Sequence, residues 1–224
     1  MRLDKLLVER KYGSRREVQS GIRKGLVLVN NVVVKNPSNH VDLALDNVVF
    51  NHQDVPMKSI VTLMMNKPPQ TVCANRDGLH KTVFDCLKEP YTRYDLHVAG
   101  RLDIDTEGLI ILTNDGDYLH QIISPKKAVY KTYFVRTKKP FINPEVLSST
   151  YQIMDGRNEL FTPLESIVKP VSEDEFYLSI QEGKFHQVKR MVEQFDNEVV
   201  YLKRVQIGDI VLDEELRLGE YKEL

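Results

Sequence analysis

Leu109-Ile110-Ile111-Leu112 is an unbroken aliphatic run, and it follows directly on Gly100-Arg101-Leu102-Asp103-Ile104-Asp105-Thr106-Glu107-Gly108. A short apolar run bounded by turn residues reads as a strand buried on both faces. The segment before it sets two aspartates, a glutamate and an arginine between two glycines. Charges held beside a buried strand are costly unless they are paired or put to use. A surface turn rich in Asp and Gly would look similar, but Arg101 stands two residues from Asp103 and the segment lies mid-chain, where a core is expected.

Three chemistries could use such a loop. A calcium loop takes oxygen ligands at alternate positions and a bidentate Glu at the twelfth; Asp103, Asp105 and Glu107 imitate its start, but the twelfth position is Asn114 and the second half is a buried strand. A phosphate cradle needs glycines with Lys and Ser or Thr, and this loop carries carboxylates instead. The third is one catalytic carboxylate, positioned by a nearby cation and used as nucleophile or general base.

The 224 residues suit one large domain or a medium one with a small partner. With 42% hydrophobic residues the chain can build a core, which excludes disorder. It holds no apolar run of membrane-helix length and no signal peptide at Met1-Arg2-Leu3-Asp4, so a soluble cytoplasmic protein is expected. Cys73 and Cys86 have no metal-like spacing and read as buried free thiols. The net charge of -1 divides unevenly: residues 1–59 stand at +4 and the remainder at -5. A basic module ahead of an acidic one suits binding of a polyanion by the first part, although a solvated helix face would carry the same charge.

Leu3, Leu6 and Leu7 fall at helical spacing, and Ser14 with Glu17 forms a capping box for a second helix carrying Arg15, Arg16 and Arg23. Gly25 stops it, and Leu26–Val29, the turn Asn30-Asn31 and Val32–Val34 read as a hairpin, with Val48–Phe50 completing a small sheet. Residues 53–58 read as a linker. Beyond it, Ile60–Met65 reads as a buried strand ended by Asn66-Lys67-Pro68-Pro69. Further strands are expected at 96–99, 109–113, 129–136, 160–168, 175–180 and 198–206, and helices at 81–88, 115–123, 143–149 and 184–195, the third capped by Asn143. Without regular strand–helix alternation, this predicts an α+β domain with a largely antiparallel mixed sheet.

The words Gly100–Leu109 and Leu112-Thr113-Asn114-Asp115-Gly116 resemble the active-site signature of the RsuA-type pseudouridine synthases. Four more words match that family in order: Asn66-Lys67-Pro68-Pro69, Lys131-Thr132-Tyr133, Glu182–Met191, and Leu202-Lys203-Arg204 with Ile207-Gly208. The first part is similar to an S4 RNA-binding domain. The resemblance implies an S4-like domain at 1–58 and a catalytic domain at 59–224. The implied activity is isomerisation of uridine to pseudouridine in ribosomal RNA. The word Gly183–Met191 looks nearer to the small-subunit (16S) branch, whose target is uridine 516; a 23S rRNA enzyme and a catalytically inactive S4-type ribosome-assembly protein are the alternatives. No cofactor and no metal are implied, the partner is ribosomal RNA or a pre-ribosomal small-subunit particle, and the family suggests a monomer.

By the same resemblance Asp103 is the catalytic carboxylate, Lys189 its cationic partner, and Tyr133 the ring stacked on the uracil. Leu202 closes over the base. Arg15, Arg16, Arg23 and Lys24 become phosphate contacts, and Arg101, Lys184 and Arg190 further RNA contacts. Asp105 and Thr106 are expected to brace the loop by local hydrogen bonds. The family usually has glycine where this chain has Gln70. His186 is assigned no chemistry. The reaction also needs its nucleotide turned out of the RNA stack.

Overall fold

The computed structural model describes residues 1–124, 128–157 and 159–224, with the backbone alone for Ile123. Two compact units emerge, residues 1–61 with 87–96, and residues 62–86 with 97–224. Residues 87–96, expected in the larger domain, thus belong with the first unit.

In that unit α1 (Leu3–Glu9) and α2 (Arg15–Arg23) precede β1 (Val27–Val29), β2 (Val32–Val33), β3 (Val48–Phe50) and β4 (Gln53–Asp54). Ser14 and Glu17 close a capping box on α2, which satisfies backbone donors that the first helical turn would leave unpaired. Asn30 and Asn31 both have positive φ, as a two-residue hairpin requires. The strands lie in the order β2-β1-β3-β4, antiparallel throughout. Leu3, Leu6, Leu7, Val18, Ile22 and Val27 form a fully buried core against them. Residues 53–58 are not a linker: two of them form β4, Val55 is buried in the core, and the Arg10 guanidinium donates to the carbonyls of Pro56 and Lys58. The polar composition of the segment reflects an edge strand, not freedom. The returning segment packs through cations over rings, Arg93 over Tyr12 at 3.9 Å and Arg10 over Tyr94 at 4.6 Å.

The second unit contains β5 (Thr62–Lys67), β6 (Thr71–Val72), β7 (Lys81–Thr82), β8 (His97–Ala99), β9 (Glu107–Thr113), α3 (Gly116–Ile123) and β10 (Lys131–Thr137). These are followed by β11 (Ile153–Met154), β12 (Leu160–Phe161), β13 (Ile167–Pro170), β14 (Glu175–Ile180), α4 (Gln187–Glu193), β15 (Val199–Ile207), β16 (Ile210–Val211) and β17 (Tyr221–Glu223). Its main sheet runs β13-β14-β10-β15-β9-β5-β17, with β8 beside β9 and β16 beside β15. Within that sheet the β9–β15 pair is parallel and the others are antiparallel, so the largely antiparallel mixed sheet expected from sequence is present. Leu109, Ile110, Ile111 and Leu112 are each fully buried, as an apolar run on a two-sided strand requires.

Strand β9 places the candidate site. Its C-terminal half pairs with β8 and its N-terminal end with β15, on one edge, while β5 covers the other. The loop 100–106 joins β8 to β9 on the edge where β9 changes neighbour from β15 to β8.

Several expected elements differ. Residues 81–88 form β7 and a 3₁₀ turn, Val83–Cys86. Residues 143–149 make only a 3₁₀ turn, Pro144–Ser148, and the Asn143 side chain caps nothing. The 160–168 strand is split into β12 and the start of β13. Helix α4 starts at Gln187 because His186 takes a left-handed backbone, φ 53°. Strand β17 has no counterpart among the expected elements; its three polar-flanked residues are ordered by pairing with β5. Among the described residues no helix is long and apolar enough to cross a membrane.

Candidate active site

The acidic loop is held from beneath by two buried cations. Lys67 is completely buried, and its ammonium donates to the carbonyls of Thr106 at 2.8 Å, Pro68 at 3.0 Å and Ile104 at 3.3 Å. Burial lowers its pKa, because the charged form is the one desolvation penalises. Arg204, 1% exposed, donates through Nε to the Leu109 carbonyl and through Nη2 to that of Gly100, both at 2.8 Å. The Gln70 N–H reaches Ile104 O at 2.8 Å, and the Leu102 N–H donates to Cys73 Sγ at 3.4 Å. At Gly108, φ is +102° and a Cβ would fall 2.2 Å from the Arg204 carbonyl oxygen, so glycine is obligatory there.

On this support stands Asp103, its side chain 25% exposed. Lys189 Nζ lies 3.6 Å from one carboxylate oxygen and His186 Nε2 3.7 Å from the other. Neither distance is a hydrogen bond. The ion pair expected from sequence is present, Lys189 Nζ lying 3.6 Å from Asp103, and Lys189 also hydrogen-bonds Asp105, at 2.7 and 2.8 Å to its two oxygens. Burial works to raise the Asp105 carboxyl, but the Lys189 hydrogen bond and charge prevail and hold it below the usual carboxylate range. Asp105 thus fixes the ammonium, which faces Asp103 without occupying its lone pairs. Thr106 does not brace the loop through its side chain, whose buried hydroxyl has no partner among the described residues; its N–H donates to Asp103 O at 3.2 Å.

Asp103 opens onto a cleft of ≈ 360 Å³, whose walls include Arg101, Leu102, Tyr133, Ile180, His186 and Leu202. That volume lies near the low end of the range typical of small-molecule sites, roughly 300–1,000 Å³, so it suits one extruded nucleoside and not a duplex. Tyr133 is 7% exposed on β10 and Leu202 7% exposed on β15, so both present a face to the cleft from within the core. Lys189 sits outside the wall and pairs with both Asp103 and Asp105. Among the described residues no three His, Cys, Asp or Glu side chains are grouped to hold a metal ion.

The remaining expected residues separate. Arg101 is exposed at the cleft wall. Lys184 also lines it, with Nζ 3.4 Å from the centroid of the Phe161 ring. Arg190 instead commits one guanidinium nitrogen to the carbonyls of Met154 at 2.9 Å and Asp155 at 2.7 Å, which ties α4 to the β11 turn. In the first unit Arg15, Arg16, Arg23 and Lys24 are exposed on and just after α2, and Arg15 lies 3.8 Å from buried Asp4. Lys67 and Arg204 stand inside family-matching words, yet sequence reasoning gives them no role. The available signal is a lone cation at the end of an apolar strand, which must find carbonyl partners when buried.

A loop carboxylate beside an ammonium, a tyrosine and a leucine over a nucleoside-sized cleft, and an S4-like unit define a class. Residues 61–194 match the family described as RNA pseudouridylate synthase and residues 1–48 match the S4 domain, and the chain belongs to the RNA pseudouridylate synthase family. It is a pseudouridine synthase with an N-terminal S4 domain. Within that family it is 40% identical over 226 residues to the uncharacterized RNA pseudouridine synthase YtzG of Bacillus subtilis, spanning 100% of this chain and 95% of the relative. It is 37% identical over 224 residues to the ribosomal small subunit pseudouridine synthase A of Vibrio cholerae, spanning 100% and 96%. A crystal structure of a pseudouridylate synthase matches with a TM-score of 0.67 at 34% identity, over 100% of this chain and 96% of that one.

Proposed function

We propose that this enzyme isomerises one uridine of small-subunit (16S) rRNA, at the position corresponding to uridine 516, with Asp103 as its single reacting carboxylate and without a cofactor. The observation that carries the reading is the Asp103 carboxylate on the cleft wall, with the Lys189 ammonium 3.6 Å away and not hydrogen-bonded to it. The small-subunit assignment is supported by the name of the Vibrio cholerae relative.

The isomerisation breaks the bond from ribose C1′ to uracil N1 and forms one to C5, with no net redox change. Asp103 could attack the sugar, attack the base or remove a ribose proton. Each role needs a free lone pair on the carboxylate, and Lys189, 3.6 Å away and hydrogen-bonded to Asp105, leaves Asp103 one. Tyr133 stacks on the detached uracil and Leu202 covers it, keeping the base beside C1′ while it turns. Arg101 and Lys184 meet the phosphates at the cleft, while Arg190 acts by holding the β11 turn. Residues 1–58 recruit the RNA, with Arg15, Arg16, Arg23 and Lys24 on phosphates, and residues 59–224 do the chemistry, as a monomer in the cytoplasm.

Pseudouridine mapping of 16S and 23S rRNA from cells with and without the gene tests this. The expected result is loss of one 16S pseudouridine, restored by the wild-type gene. An unchanged 16S map with a lost 23S site would move the target to the large subunit, and two unchanged maps would favour a ribosome-assembly role without turnover.

A further inference from the structure

The end of loop 181–186 builds an aromatic stack that the isomerisation as described does not use. The rings of Phe185 and His186 lie face to face, centroids 3.8 Å apart and planes within 19°. Phe185 is 58% exposed, unusual for so large an apolar ring. It is backed by the β11–β12 turn, where a Cβ on Gly156 would fall 2.9 Å from the Phe185 side chain, so only glycine lets the turn close on the ring. Arg190 pins that turn through the Met154 and Asp155 carbonyls. His186 holds a left-handed backbone at φ 53°, a region that residues other than glycine rarely adopt. Strain of this kind persists where the surroundings over-determine it, and it clusters at functional sites.

The result is a tier of turn backbone, phenyl ring and imidazole, ending in a His186 side chain that is 39% exposed and lines the same cleft as Asp103. An aromatic ring held rigidly beside a nucleoside-sized opening is a stacking surface, and base–aromatic stacking accepts any base because each presents a π-face. Lys184, adjacent in sequence and also lining the cleft, supplies a positive charge beside it. We propose that His186, backed by Phe185, is the platform on which a nucleobase next to the target uridine stacks when that uridine enters the cleft. This rests on the reading that the cleft accepts RNA. It assigns His186 a substrate-holding role and not a proton-transfer role.

Short single-stranded RNAs with one uridine and 2-aminopurine on its 5′ or 3′ side, bound to the full-length protein, test the platform, because stacking quenches 2-aminopurine fluorescence. The wild type is expected to quench one of the two RNAs. His186→Ala is expected to lose the quench and bind that RNA about 10-fold more weakly, whereas His186→Phe keeps both. An RNA abasic at that position is expected to bind wild type and His186→Ala equally. The proposal is overturned by absence of quenching with both RNAs, by equal losses in His186→Phe and His186→Ala, or by a His186→Ala penalty that survives on the abasic RNA. These are binding readouts, so a wild type that quenches but forms no pseudouridine refutes the catalytic reading and leaves the platform standing.

Discussion

Replacing Lys67 by Met keeps a long unbranched side chain and removes an ammonium that bonds to three carbonyls. Two of the three keep a partner: Pro68 O still accepts from Thr71 Oγ1 at 2.7 Å, and Ile104 O from the Gln70 N–H at 2.8 Å. Only Thr106 O is left without a described donor. The cost is therefore that of one orphaned buried carbonyl, about 1–3 kcal/mol, and not the larger sum of three charge-assisted bonds. Relief of the buried charge offsets part of it. A net loss of about 2 kcal/mol corresponds to a fall of roughly 4–8 °C in the melting temperature of a unit this size. Turnover should suffer more than stability, because loosening the loop displaces Asp103, and misplacement by about 1 Å can cost 100-fold. Denaturant unfolding by circular dichroism, with single-turnover pseudouridine formation at saturating enzyme, gives both numbers. A Lys67→Met protein as stable and as fast as wild type would refute the idea that this ammonium holds the loop.

Gly108→Ala sets a methyl group against the Arg204 backbone at a φ of +102°; a loss above about 4 kcal/mol is expected, read as failure of the catalytic unit to resist proteolysis. Gln70→Gly relieves a left-handed glutamine, φ 60°, and should raise stability by about 0.5 kcal/mol, the conformational relief exceeding the chain entropy it restores. In the first unit the Arg2 hydrogen bond outweighs burial and holds the Asp4 carboxyl at about 2. A lowered folded pKa stabilises above the unfolded value and is lost as pH falls, so about 1–2 kcal/mol should disappear between about pH 4 and pH 2. Asp4→Asn should flatten that part of the urea-unfolding profile. Removing Arg15, Arg16 and Arg23 together should make RNA affinity less salt-sensitive, the slope falling by about 0.7 for each phosphate these side chains neutralise, while leaving turnover at saturating enzyme near wild type.

Elements with a covalent signature were legible in the sequence: the Ser14 capping box, the Asn30-Asn31 hairpin and the aliphatic run of β9 each follow from local chemistry. Short elements stabilised from outside were not, because β4 and β17 take their order from neighbours elsewhere in the chain. In the site, the residue types and the Lys189–Asp103 pair were readable, and the second partner of Lys189 was not. Asp103 and Asp105 stand two apart on a loop with no fixed period, so loop geometry that Lys67 and Arg204 support decides that Lys189 meets both and hydrogen-bonds only Asp105. The stack of Phe185 on His186 depends on a left-handed backbone that an isolated histidine would not adopt, and nothing local forecasts it.

Single-turnover isomerisation by Asp103→Asn tests the central claim most directly, since the change removes one negative charge and no bulk from a residue whose carboxylate makes no described hydrogen bond. The expected result is loss of pseudouridine formation by at least about 1,000-fold, as for removal of a reacting group, with RNA affinity and melting temperature close to wild type. Turnover within about 10-fold of wild type would contradict it and remove Asp103 from the chemistry.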